Sequence, residues 1–347
     1  MKKLLHLSLA LMAALFILST GCDDDDSSSS SGSGTLVFTA NGEGFVDEGF
    51  TSEDGWDIQF DHVYMNIEGP TAYQVAETSE TSEYAAHAGH PHASIPEGAA
   101  HVALTGEYFI DLKQATAGDP VFEIGSVTGA AVGNYNYLNF NLRNVHTTGD
   151  DPVEPTTVLQ SGDTATEPSD YEGYCMILIG TATYPSGGPA TTTVNFTIKF
   201  DQQMAFSGCG PQEDLDEDGT NDGILTRGGT ARTQMTFHFD HVFGDIDEND
   251  ESEVFVGEDP NNPEYMNFWA VGFGPFAYMV AAADAYPYDT PQAGTFDDAE
   301  FSLAEMIDGT GTDIDFNVYF HLYTTLKTLG HLGECHCGCE DYDPDAE

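Results

Sequence analysis

From Thr35 onward, apolar and polar positions alternate with a period of two in short runs, broken by Gly, Pro, Asp and Thr. Leu36–Thr39, Trp56–Ile67, His101–Leu112, Asn134–Arg143, Tyr174–Tyr184, Thr191–Phe200, Met204–Ser207 and Thr233–Phe243 alternate or carry β-branched and aromatic residues. Such runs read as strands with one face turned inward. So many short strands predict a mainly β fold, an antiparallel β-sandwich, over residues 35–260. The pattern then changes. Tyr265–Ala283 is apolar and Ala-rich at its end, and Asp297–Ile307 has a helical mix. Asp313–Leu329 spaces Phe316, Tyr319, Phe320 and Tyr323 by three or four, with Asp313 as N-cap and Gly330 as stop. Residues 261–332 therefore read as a few C-terminal helices packed on the sandwich, or as a small domain of their own. Residues 333–347 read as a Cys/His/acidic tail, and Gly149–Asp170 and Glu258–Pro263 as exposed loops.

The segment before the first strand reads as an address. Lys2 and Lys3 precede the apolar run Leu4–Leu18, which ends in Ser19-Thr20-Gly21-Cys22, the layout of a signal peptide over residues 1–21. The run is short for a membrane span. Its ending resembles the bacterial lipobox, although Ser19 stands where Leu is commonest; the resemblance implies that Cys22 is lipidated and becomes the mature N-terminus. Asp23–Gly34 (DDDDSSSSSGSG) then forms a solvated tether of roughly 20 Å root-mean-square length. The expectation is an extracytoplasmic protein, lipid-anchored to a bacterial membrane and facing the periplasm or the cell surface.

Charge narrows the partners. With 59 Asp and Glu against 8 Lys and Arg, the formal charge is −51, and loss of Lys2 and Lys3 with the signal leaves six bases. A nucleic-acid groove needs a basic stripe, and attraction to anionic headgroups needs basic clusters; the chain has neither. Such a surface attracts cations. At 40% hydrophobic residues, the chain has enough apolar material to bury a core.

Histidine and cysteine supply the selective donors. By strand alternation His62 shares a face with Trp56, Ile58, Phe60 and Tyr64, and His241 with Met235, Phe237, Phe239 and Phe243; both are expected inward, with His238 and Asp240 on the opposite face. Phe60-Asp61-His62-Val63-Tyr64 and Phe239-Asp240-His241-Val242-Phe243 are near copies, by chance or by duplication. His87, His90 and His92, followed by His101, form a Gly/Pro-bearing loop whose imidazoles suit Cu(II), Zn or Ni. At the C-terminus, His331, Cys335, His336, Cys337 and Cys339 offer thiolates and imidazoles for Cu(I) or Zn. Six cysteines less a lipidated Cys22 leave an odd number. Either Cys175 pairs with Cys209 and frees the tail thiols, or one tail cysteine pairs with Cys175 or Cys209 and stitches the terminus to the strands. Asp214, Asp216, Asp218, Thr220 and Asp222, with Gly219 at the sixth place, have the spacing of a Ca²⁺ loop. Leu225 stands where an EF-hand has its bidentate Glu, so the loop resembles those of thrombospondin type 3 repeats. No nucleophile elbow, P-loop or zinc-protease motif is present, and no enzymatic activity is expected.

Several short stretches together resemble a family. They are Gly55-Trp56 with Phe60, Asp111-Leu112, Gly133-x-Tyr135-x-x-Leu138-x-Phe140, Gly180-Thr181-Ala182, Cys209, and Thr236-Phe-His238-Phe-Asp240-His241-Val-Phe243. They are distantly similar to the bacterial periplasmic copper-binding proteins associated with methanobactin. The resemblance implies a β-sandwich module for copper or another transition metal, with His238, Asp240 and His241 as its site. The His-rich loop, the cysteine tail and the extreme acidity depart from that family. The expected function is a scavenger, carrier or buffer of copper or zinc with a structural Ca²⁺, partnered by an inner- or outer-membrane metal transporter; the alternative is a calcium-stabilised adhesion or glycan-binding lipoprotein.

Overall fold

The computed structural model describes residues 32–52, 56–76, 95–114, 121–149, 152–158, 167–184, 192–211, 222–239, 241–243, 299–302, 326, 329–332 and 335–341. Over these the chain is mainly β. In chain order the strands are β1 (Ser33–Asn41), β2 (Phe50–Thr51), β3 (Asp57–Gln74), β4 (Ala100–Ala103), β5 (Glu107–Asp111), β6 (Val121–Ala131), β7 (Gly133–Asn134), β8 (Tyr137–Leu142) and β9 (Thr156–Thr157). There follow β10 (Met176–Tyr184), β11 (Thr192–Phe200), β12 (Met204–Cys209), β13 (Ile224–Leu225), β14 (Thr230–Phe237), β15 (Ala299–Ser302), β16 (Gly330–Leu332), β17 (Cys335–His336) and β18 (Gly338–Asp341). One short helix, α1 (Glu43–Glu48), follows β1.

β7 and β13 form a small sheet of their own; of the two larger sheets, one runs β17-β16-β14-β1-β6 and the other β15-β11-β10-β3-β8-β12-β18, with β2, β4 and β5 also on β3. Both are mixed: β1 is parallel to β14, β11 to β15 and β5 to β9. Alternation had suggested antiparallel sheets, but it reports only which face of a strand is buried. It is blind to strand direction, and parallel neighbours come from distant parts of the chain. One apolar cluster draws on both sheets, joining Leu36 and Phe38 of β1 and Phe237 of β14 to Phe60 of β3, Phe140 of β8 and Leu178 of β10.

β3 is the spine of the larger sheet, and within it Gly69 has a φ of 58°, in the left-handed region that glycine enters freely. Its register against β8 shifts there, between Glu68 and Thr71.

Three expectations change in the C-terminal half. Ala299–Ser302 falls inside the segment read as helical, yet it is a strand in register with Phe196–Lys199; residue mix is a weak preference that sheet pairing overrides. Residues 335–341, read as part of a tail, are β17 and β18, and β18 pairs with Met204–Ser207. The strand expected over Thr233–Phe243 stops at Phe237, and His241–Phe243 form a 3-10 turn. The two pentapeptides are therefore not equivalent strands. They meet instead, with Phe60 at 6.0 Å from Phe239 and 5.9 Å from Phe243. Tyr265–Ala283 and nearly all of Asp313–Leu329 lie outside the described residues.

Candidate functional site

A break in alternation builds the site. Ile179 of β10 is in register with His62 and Gly180 with Phe60, so Asp61 is an extra residue, a β-bulge. Before it, Ile58 and Phe60 point into the apolar core; after it, Val63, Met65 and Ile67 do. His62, Tyr64, Asn66 and Glu68 are thereby turned to the opposite face. This corrects the expectation that His62 shares an inward face with Trp56, Ile58 and Phe60. Gly180 permits the bulge: a Cβ there would collide with the carbonyl oxygen of Gln59.

β5 completes the same face. In its antiparallel register Asp111 lies opposite Tyr64, Phe109 opposite Asn66 and Glu107 opposite Glu68. Asp111 Oδ2 lies 2.7 Å from His62 Nδ1. The other oxygen, Oδ1, accepts from the backbone N–H groups of Val63 at 2.9 Å and Lys113 at 3.2 Å. The Asp111 side chain is 3% exposed and that of His62 is 41% exposed. A buried carboxylate on Nδ1 fixes the tautomer and tilt of the ring, so that the lone pair lies on Nε2 of a side chain that remains partly exposed. Tyr64 stacks on His62 at 5.0 Å, and Phe109 stacks on Tyr64 at 5.5 Å. Tyr171 closes the layer at 4.9 Å from Tyr64. Burial, and then the neighbouring Tyr64, push the Tyr171 hydroxyl well above its usual range, so it stays neutral.

Further along this face, the Asn66 amide donates to Glu107 Oε2 at 2.8 Å, and Arg143 reaches Glu68 at 2.6 Å and Glu107 at 3.2 Å. Burial raises the Glu107 carboxyl above its usual range, opposed by the Asn66 hydrogen bond and by Arg143. Other bases serve the fold as well. Lys113 Nζ donates to the carbonyls of Val46 and Asp47 at the end of α1, at 3.0 and 2.8 Å, and Lys199 sits 5.6 Å above the Tyr174 ring.

The remaining candidates are dispersed. His101 is exposed on β4, with Nδ1 at 3.1 Å from the Ala99 carbonyl. His238 Nε2 lies 3.4 Å from Glu43 and its ring 6.4 Å from Phe45. His241 is in the turn after β14, and Asp240 lies outside the described residues, as do Cys22, His87, His90, His92, Asp214, Asp216, Asp218 and Thr220. Asp222 lies 3.7 Å from Arg232. His331, Cys335 and His336 occupy β16 and β17.

Cys337 forms a disulfide with Cys209. That corrects the Cys175–Cys209 pairing, realises the alternative in which a tail cysteine stitches the terminus, and removes Cys337 as a thiolate ligand. Cys175 is a buried thiol that donates to the Phe200 carbonyl at 3.2 Å, and burial pushes its pKa far up. Cys339 is half-buried on β18, opposite Phe206. Among the described residues no three side chains of His, Cys, Asp or Glu converge on one point.

Asp111 carries the site, although the residues read by themselves assign it no role. Its signal was the period of two in Glu107, Phe109 and Asp111, which puts both acids on one face of a strand whose other face is apolar. No protein-family model, curated protein or solved structure matches the chain.

Proposed function

We propose that the chain is a lipid-anchored, extracytoplasmic β-sandwich protein that binds a transition metal, copper or zinc, as a scavenger, carrier or buffer. The observation that carries this reading is His62, whose Nδ1 is held by the buried Asp111 while the ring stays partly exposed. A carboxylate behind an imidazole fixes its tautomer and removes its rotational freedom, the arrangement that metal-ligating histidines use. With Cys337 in a disulfide, the tail has one thiolate fewer and the donor balance shifts toward imidazole, which suits Zn(II) or Cu(II). The disulfide itself suits an oxidising compartment, in keeping with the export signal and Cys22. The large apolar cluster that draws on both larger sheets supports the sandwich reading. Ca²⁺ in the loop from Asp214 to Asp222 has a structural role, and a metal transporter of the inner or outer membrane is the partner.

The test is metal content and titration of the mature chain. The wild type is expected to hold stoichiometric copper or zinc, and replacing His62, His87, His90 and His92 by Ala is expected to lose most of it. A wild-type protein without stoichiometric copper or zinc after metal-replete growth would sink the reading. For Ca²⁺, chelation is expected to lower the melting temperature.

A further inference from the structure

The spine strand changes partners at a buried polar pair. Along one edge β3 pairs with β10 as far as Met65, opposite Met176, and with β8 from Ile67, opposite Leu142. Asn66 stands between them: its N–H donates to the Cys175 carbonyl at 2.9 Å, and its carbonyl accepts from the Arg143 N–H at 3.1 Å. On the other edge, β5 sets Glu107 opposite Glu68 and Phe109 opposite Asn66. Asn66 is fully buried and Glu107 is 4% exposed.

Two oxygens of this pair lack donors. The amide nitrogen of Asn66 is committed, donating to Glu107 Oε2 at 2.8 Å and to the Arg143 carbonyl at 2.9 Å. Asn66 Oδ1 and Glu107 Oε1 make no hydrogen bond among the described residues. Two acceptors cannot satisfy each other, and leaving both buried without a donor is costly. Charge points the same way. Arg143 Nη1 lies 2.6 Å from Glu68 and 3.2 Å from Glu107, so an ionised Glu107 sets two carboxylates against one guanidinium. With Glu107 neutral, that trio balances. The other titratable neighbours have partners of their own: His146, 48% exposed, lies 3.6 Å from Glu172, and Asp111 of β5 is bound to His62 and two backbone N–H groups. Burial is the largest influence on Glu107 and raises its carboxyl, opposed by the Asn66 hydrogen bond and Arg143, reinforced by Glu68 and opposed again by His146.

We propose that Glu107 and Asn66 form a neutral acid–amide pair, Glu107 Oε1 donating a proton to Asn66 Oδ1 while Oε2 accepts from Nδ2, and that this pair is a pH-sensitive latch between β5 and β3. A protonated carboxyl offers one donor and keeps acceptor capacity, and a carboxamide is its complement. One proton thus gives both oxygens a partner. The latch ties β5 to the spine where β10 gives way to β8, and β5 is the strand that carries Asp111 to His62. As pH rises, Glu107 releases its proton to solvent, the second hydrogen bond is lost and two carboxylates face Arg143. The stabilisation is therefore complete below the unfolded pKa of Glu107 and is lost as pH rises through the folded one. The latch stands whether or not His62 binds a metal.

The experiment is a pH titration of the isotope-labelled mature chain, freed of transition metals and followed by nuclear magnetic resonance. The Glu107 Cδ resonance is expected to titrate with a midpoint above those of exposed glutamates, and the Asn66 side-chain amide resonances to move with the same midpoint. Glu107→Gln, which keeps a donor and an acceptor in place of the acid, is expected to fold and to abolish the Asn66 movement. Hydrogen exchange gives a second readout. Corrected for intrinsic rates, protection of the β5 amides in the wild type is expected to fall roughly tenfold per pH unit between the unfolded and folded pKa values of Glu107. In Glu107→Gln it is expected to stay level. An ordinary midpoint for Glu107 would overturn the pair, as would Asn66 resonances that still move in Glu107→Gln, a movement that belongs to Glu68 or His146. Wild-type β5 protection that is level across that range would overturn the latch. Should Glu107→Gln unfold, the shared midpoint of Glu107 and Asn66 in the wild type carries the test alone. With metal absent throughout, each of these outcomes leaves the transition-metal reading to its own test.

Discussion

His62 and His101 lie on hydrogen-bonded strands of one sheet, toward opposite ends of β3, and they are held in different ways. His62 is fixed by Asp111, which is 49 residues away in sequence and itself bound by two backbone N–H groups. His101 has a carbonyl two residues back and a loose ring contact with Tyr73 at 5.6 Å. A local carbonyl orients a ring only relative to its own strand. A buried carboxylate from another strand orients it relative to the whole fold, so the ordering entropy is already spent before a ligand arrives. Being a histidine on a sheet is thus not enough to make a preformed donor; the partner behind the ring decides.

The largest expected effect falls on both rings together. Replacing Cys209 and Cys337 by Ser opens a link spanning 128 residues and is expected to cost about 4 kcal/mol in urea unfolding. If the two histidines respond unequally to that loss, the link is local to one of them. Gly180→Ala comes next. It drives a Cβ into the Gln59 carbonyl and is expected to cost about 3 kcal/mol, shifting the ring resonances of His62 and not those of His101. Asp111→Ala should cost about 2 kcal/mol by leaving the Val63 N–H and His62 without their acceptor. It should also weaken a metal ligated by His62 about 10–100-fold, turning His62 into a residue like His101; unchanged His62 resonances would break the comparison. Glu107, on the His62 face, has a raised folded pKa, so its contribution to stability is complete below its unfolded value and is lost as pH rises through the folded one. Glu107→Gln is expected to flatten that decline between acidic and neutral pH in denaturant titrations. His101→Ala, the smallest change, should stay within about 0.5 kcal/mol.

Much of this was legible in the chain. The strands around Leu36, Phe60, Phe140, Leu178 and Phe196 followed from alternation, because burial of one face imposes a period of two on any strand. The bulge at Asp61 was not legible. Alternation across residues 56–64 looks unbroken in the sequence, since Tyr64 is aromatic and packs well on either face. Its trace was Gly180, whose need for a bare Cα appears only when β10 lies beside β3. The helical reading of Asp297–Ile307 failed at Ala299–Ser302 for a related reason, because four residues gain more from pairing with β11 than local propensity withholds.

The sequence by itself determined the mainly β character, the excess of acid over base and the pool of histidine and cysteine side chains. Composition and periodicity are local properties, and these conclusions need nothing else. Only the tertiary structure decided that the sheets are mixed, that Cys337 pairs with Cys209 and not Cys175 with Cys209, and that His62 turns away from the core onto Asp111. Each of these is a meeting of residues that pairing and register bring together, and a period of two records which way a residue faces but never whom it faces.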